Sequence, residues 1–309
     1  MKNELDRRDF LKKSALAAAG LGLAGRMQPA WSAPREEELF KVSLAQWSLN
    51  RSLFSGKIDN LDFARVAAEN EIMGIEYVNQ FFMDKAEDMA YLREMKTRAE
   101  GEGVESILIM CDREGRLGDP DEKERMKAVE NHYKWVTAAK FLGCHSIRVN
   151  GYSLGSYDEQ MKLVADGLHR LCAFGDEHGL HVIIENHGGF SSNGKWLRDT
   201  IVMADHPRAG TLPDFGNFRI GEGESYDSYR GVEELMPYAT GVSVKPVVWD
   251  DNSNQSDLDY VRMMRIVLDA GYHGFCGIEH GPQDREIEGI REVHEQLKKA
   301  RTQLASEME

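Results

Sequence analysis

Three carboxylates in the second half of this chain each close a short β-rich run. Glu185 ends His181-Val182-Ile183-Ile184-Glu185, Asp214 ends Gly210-Thr211-Leu212-Pro213-Asp214, and Glu279 ends Phe275-Cys276-Gly277-Ile278-Glu279. A lone carboxylate in such a place caps a helix or faces water. Three brought together repel one another unless a cation, a lysine or a proton compensates. Hard oxygen donors of this kind suit Mn²⁺ or Mg²⁺, and one added imidazole shifts the preference toward Mn²⁺, Co²⁺ or Zn²⁺. Other run ends carry groups able to bind a polar substrate: Trp47, Arg148, His187, Asn217, Lys245 and His280. An inward cation such as Arg148 answers an anion, either on a substrate or among the carboxylates.

These residues meet only if the runs that carry them lie side by side. From Lys41 onward, β-rich runs alternate with helical patterns. Strands are predicted at 42–46, 74–78, 104–109, 146–150, 181–185, 210–214, 241–245 and 275–279. Helices are predicted at 62–70, 84–100, 122–142, 157–178, 228–236, 257–270 and 286–304, with a short one within 190–205. Met161, Val164, Leu168 and Leu171 recur at three- and four-residue spacing, one apolar face of a helix. Eight strand–helix pairs make a (β/α)8 TIM barrel, whose chemistry sits at the C-terminal ends of its strands. A doubly wound sheet would carry a Gly-rich loop after its first strand, where this chain reads Trp47-Ser48-Leu49-Asn50. Gly221-Glu222-Gly223-Glu224 contains a GxG but is acidic, and reads as a flexible loop rather than a phosphate cradle.

Composition narrows the partners. The 309 residues carry a net charge of −14, with 41 % hydrophobic and 29 % charged side chains. That balance opposes a nucleic-acid groove or an anionic membrane surface, both of which reward Lys and Arg clusters. No run reaches the roughly 20 apolar residues of a bilayer-spanning helix. Cys111, Cys144, Cys172 and Cys276 are far apart, so neither a zinc knuckle nor a disulfide scaffold is indicated. At the N-terminus, Arg7-Arg8-Asp9-Phe10-Leu11-Lys12 precedes a small-residue apolar run and then Ala30-Trp31-Ser32, the order of a twin-arginine signal with its cleavage site. The expected division is a signal at 1–32 and one barrel domain at 33–309, exported to the periplasm and free of the membrane once mature. Losing residues 1–32 removes 6 basic and 3 acidic residues and takes the net charge to −17.

Four segments, in this order, resemble the sugar phosphate isomerase/epimerase group of xylose isomerase-like TIM barrels. They are Ile184-Glu185-Asn186-His187-Gly188-Gly189, Leu212-Pro213-Asp214-Phe215-Gly216-Asn217-Phe218, Val242-Ser243-Val244-Lys245, and Gly271-Tyr272-His273-Gly274 leading to Gly277-Ile278-Glu279. The resemblance implies a divalent metal on two Glu, one Asp and one His, carried here by Glu185, Asp214 and Glu279. The chain departs at the histidine position, where it reads Ser243. Three solutions stand open: His187 completes the sphere, the metal is held weakly, or Lys245 replaces its charge. The implied chemistry is proton transfer beside a carbonyl through an enediolate, with Glu185 and Glu279 as metal ligands and proton carriers and Asp214 as a ligand alone. Trp47 would pack on a sugar face, while Arg148, His187, Asn217, Lys245 and His280 would hold the substrate. The expected partner is a small carbohydrate, and self-association into a homo-oligomer is compatible with the chain. Two rivals use the same scaffold: a lyase or hydrolase on 3-keto sugars or glycosides, and a non-catalytic carbohydrate-binding barrel. A DNA-repair endonuclease would need more histidine ligands and a basic track.

Overall fold

The computed structural model describes residues 39–280 and 284–308. The twin-arginine signal predicted at 1–32 lies outside the described residues. Within them the strands are β1 (Lys41–Ala45), β2 (Gly74–Val78), β3 (Glu105–Met110), β4 (Ser146–Asn150), β5 (His181–Glu185), β6 (Ala209–Leu212), β7 (Arg219–Gly221), β8 (Glu224–Ser225), β9 (Val242–Val244), β10 (Val247–Trp249), β11 (Gln255–Asp257) and β12 (Phe275–Ile278). The helices are α1 (Asn50–Phe54), α2 (Phe63–Glu69), α3 (Met89–Gly101), α4 (Glu122–Leu142), α5 (Tyr157–Glu177), α6 (Gly194–Ala204), α7 (Ser228–Leu235), α8 (Tyr260–Asp269) and α9 (Glu286–Glu307). None of these helices is long and apolar enough to cross a membrane.

Eight strands form one parallel sheet in the order β6-β5-β4-β3-β2-β1-β12-β9. The remaining gap between β6 and β9 is bridged at Thr211–Ala239 and at Asp214–Ser243. There the Phe215 amide donates to the Ser243 carbonyl at 3.0 Å and the Ser243 amide to the Pro213 carbonyl at 2.9 Å. The seam that nearly closes the barrel therefore runs through two residues of the acidic region.

Side-chain alternation decides which residues reach the interior. Val182 and Ile184 of β5, Ile147 and Val149 of β4, and Val242 and Val244 of β9 pack outward against the helices. Their neighbours in sequence point inward, where Ala45, Val78, Leu108, Met110, Ile183 and Leu212 form a small apolar plug. Above that plug the same parity delivers Arg148, Glu185, Ser243 and Glu279 to the mouth. The helices are held in register by their ends. Asp121 caps α4 through the amides of Lys123 and Glu124, and Ser156 with Glu159 forms a reciprocal capping box on α5.

The structure departs from sequence expectation at several points, among them α1 (Asn50–Phe54), where no helix is predicted. The predicted 84–100 helix begins only at Met89, after two single 3₁₀ turns. The Gly221–Glu224 stretch is the turn of an ordered β7–β8 hairpin, with Gly223 at φ +70°. A second hairpin, β10–β11, follows β9. Both hairpins are built of strands of two or three residues, too short for an apolar alternation to mark them in the sequence, although Val248 of β10 is buried.

Candidate active site at the barrel mouth

Glu185, Asp214 and Glu279 come together. Ligand-capable oxygens of the three lie within 4.8 Å of one another, and all three residues are buried. Each oxygen has a defined environment. Asp214 Oδ1 accepts the Gly216 and Asn217 amides at 2.8 and 2.9 Å, and Oδ2 accepts the Ser243 hydroxyl at 2.9 Å. Lys245 Nζ stands 2.5 Å from Asp214 Oδ2 and 2.7 Å from Glu279 Oε1. Arg148 Nε lies 2.8 Å from Glu185 Oε2, an ion pair whose angle misses that of a hydrogen bond, so this oxygen keeps unused acceptor capacity. Asn217 Nδ2 donates to Glu185 Oε1 at 2.8 Å.

A fourth acid, Asp112, stands beside the first three. Arg148 Nη1 donates at 2.9 Å to Asp112 Oδ1, which also accepts from Asn150 at 2.8 Å, and Gln80 donates to Oδ2 at 2.9 Å. Sequence reasoning left Asp112 out of the site, although it is the second residue past β3 and the strand's parity points it inward. Below the cluster, Glu76 of β2 accepts the Ser43 hydroxyl at 2.6 Å while its other oxygen has no partner among the described residues.

Burial and pairing set these charges. Burial pushes the Glu76 carboxyl up to about 8, against the Ser43 hydrogen bond and with help from Glu279 and Glu185. Burial likewise raises Glu185 above its usual value, with Arg148 only partly opposing it. At Glu279 burial also works upward, but the charge and hydrogen bond of Lys245 outweigh it, and the carboxyl lies below its ordinary range. Asp112 is driven well below its usual value because Arg148 and its hydrogen bonds overcome burial. Burial, Arg148 and Lys245 all lower His187, which is therefore neutral at pH 7.

A cavity of about 790 Å³ opens beside the cluster, and Trp47, Asp112, Arg148, Tyr152, His187 and Glu279 are among its lining residues. Trp47 lines it and is packed against Phe54 and Phe81, at centroid distances of 6.1 and 6.2 Å. His187 does not join the carboxylate group; its Nδ1 is 2.8 Å from the Tyr152 hydroxyl. Asn217 and Lys245, expected on substrate, are occupied with Glu185 and with Asp214 and Glu279. His280 is not among the cavity-lining residues: its ring lies where a Cβ on Gly289 would be 2.1 Å from Nε2. Tyr152, like Asp112 the second residue past its strand and on the parity of Arg148 and Asn150, was also left out by sequence reasoning.

A parallel barrel with buried acids at its C-terminal mouth is one defined architecture. Sequence comparison is specific within it: the chain belongs to the xylose isomerase-like TIM barrel family, which matches residues 64–300. Among solved structures it is similar to 3-keto-D-glucoside 4-epimerase from E. coli, at 17 % identity and TM-score 0.62, over 78 % of this chain and 94 % of that one. It is also similar to a xylose isomerase-like TIM barrel protein from Mycobacterium smegmatis in complex with magnesium, at 14 % identity and TM-score 0.66, over 86 % and 98 %. A curated relative, inosine-5'-monophosphate dehydrogenase of Schizosaccharomyces pombe, is 26 % identical over 151 residues, 44 % of this chain. The match spans only 28 % of that relative's length.

Proposed function

We propose that the chain is a carbohydrate isomerase or epimerase that moves a proton on a carbon beside a carbonyl. The observation carrying this reading is the buried group of Glu185, Asp214 and Glu279 at the edge of a cavity that Trp47 walls. Catalytic acid and base are found where neighbouring titratable groups are pushed apart. Glu279 faces the cavity and is held ionised by the positive charge beside it, Lys245 or a bound cation in its place, which suits it to take the proton. Glu185 is the more basic of the pair and is held in place by Asn217 and Arg148, which suits it to return one. Tyr152 and His187 offer neutral hydrogen-bonding groups to substrate hydroxyls. Three hard oxygen donors this close, one with unused capacity, fit a divalent cation such as Mn²⁺ or Mg²⁺. Glu185, Asp214 and Glu279 would hold it, and when bound it supplies charge stabilisation to a developing enediolate.

The test is solvent-deuterium exchange into candidate ketoses and 3-keto glycosides. Exchange is expected from the wild type and is lost in Glu279→Gln; retained exchange in that variant refutes the assignment. Retention in Glu185→Gln would remove Glu185 alone from the essential pair. One observation favours a second reading. A cavity of 790 Å³ has room for more than one sugar ring, lying toward the upper end of the ~300–1,000 Å³ of small-molecule sites. A 3-keto glycoside would fit it, and the same proton abstraction would then expel the glycosidic oxygen as leaving group. Product analysis distinguishes an epimer from an eliminated sugar. The twin-arginine pattern supports export to the periplasm, and an Arg7→Lys/Arg8→Lys variant is expected to stay in the cytoplasm.

A further inference from the structure

We infer that Lys245 is a built-in counter-cation of the acid cluster, which a divalent ion must displace in order to bind. The inference rests on the reading of Glu185, Asp214 and Glu279 as a cation site. Its own basis is where the ammonium stands. Lys245 Nζ is 2.5 Å from Asp214 Oδ2 and 2.7 Å from Glu279 Oε1, so one lysine spans two of the three carboxylates. The Ser243 hydroxyl, two residues earlier and on the same face, donates to Asp214 Oδ2 at 2.9 Å and approaches Glu279 Oε2 at 3.3 Å. The β9 side of the cluster thus presents proton donors to the oxygens a metal would need. Arg148 neutralises the third carboxylate from the opposite side.

The approach of Lys245 is built into the chain. Its stem passes Gly216, where a Cβ would sit 2.9 Å from Lys245 Cβ and 3.1 Å from Cδ. A side chain at that position would push the lysine off its track. Lys245 and Arg148 between them pair with all three carboxylates of the cluster, Arg148 sharing its charge with Asp112. A divalent ion placed among the same oxygens would stand beside the ammonium, and like charges at such range repel strongly where water is excluded. Metal affinity is therefore set by the exchange of one cation for another, and Lys245 weakens it. Ser243 offers no lone-pair donor comparable to an imidazole to offset that loss.

The experiment is a calorimetric titration of the chelator-treated protein with MnCl₂, comparing wild type with Lys245→Met. The variant is expected to bind Mn²⁺ at least tenfold more tightly. Its melting temperature falls below wild type in chelator and rises on adding Mn²⁺, while that of the wild type is insensitive to chelator. Equal or weaker Mn²⁺ binding by a folded Lys245→Met overturns the inference and leaves the metal site standing in a wild type that binds. Binding by neither protein removes the metal site and the inference together, with deuterium exchange still free to test the proton chemistry. A second measurement needs no variant. Amine acylation followed by mass spectrometry should find Lys245 protected in chelator and labelled under saturating Zn²⁺; unchanged protection with Zn²⁺ bound overturns the inference.

Discussion

Glu76 lies in the barrel interior beneath the acid cluster, and its ionisation would add another negative charge there. Its carboxyl fills space that Gly277 leaves open, since a Cβ on that glycine would be 2.3 and 2.5 Å from the two carboxyl oxygens. One oxygen accepts from Ser43 and the other has no partner among the described residues, an arrangement that favours the uncharged acid. A carboxyl moved from 4.5 to about 8 by burial differs between its two protonation states by about 5 kcal/mol. The sign follows from proton counting. Below pH 4.5 both folded and unfolded chains hold this proton, and the contribution is fully present. Between 4.5 and 8 only the folded chain holds it, so stability falls by about 1.4 kcal/mol per pH unit from this group and levels off above pH 8. Glu76→Gln keeps the shape of the neutral acid and cannot ionise. Urea denaturation followed by tryptophan fluorescence at pH 5, 6, 7 and 8, in chelator, gives both stability curves. The two proteins should be close at pH 5, with the variant progressively more stable toward pH 8, by several kcal/mol. Parallel curves, or a wild type that gains on the variant as pH rises, would refute the argument that burial keeps this carboxyl protonated.

Three further outcomes are expected. Arg148→Met removes the cation shared by Glu185 and Asp112 and should lower stability at pH 7 by about 3–5 kcal/mol in chemical denaturation. Asp112 is depressed in the wild type, so its stabilisation is present above the usual carboxylate pKa and lost on acidification; the deficit of Arg148→Met should therefore narrow as pH falls. Gly216→Ala crowds Lys245 and the Val247 carbonyl, which a Cβ would meet at 2.9 and 3.1 Å, and should cost about 1–3 kcal/mol in thermal denaturation. Gly221→Ala, with nothing within 4 Å of the added carbon, is the control and should stay within about 0.5 kcal/mol of wild type. Tyr152→Phe removes the hydroxyl beside His187 and should lower kcat/KM about tenfold, the worth of one hydrogen bond, with an unchanged melting temperature.

What the chain determines by itself is local periodicity and its consequences. The eight barrel strands stand within one or two residues of their predicted bounds, because each is a compact apolar run between turn signals. Strand parity alone places Glu185 with Ile183 and Ser243 with Lys245 on inward faces, and it would have brought in Asp112 as well. Tertiary structure decided the pairings. Lys245 reaches Asp214 across 31 positions and Glu279 across 34, while Arg148 turns to Glu185 and Asp112 rather than outward to substrate. Whether Ser243 would leave a gap, invite His187 or yield to Lys245 depended on barrel stagger and on the room beside Gly216. The sequence carries no local signal for either. Spacing along a chain specifies which face a side chain joins; which opposite charge it meets depends on the order and closure of strands far apart in sequence.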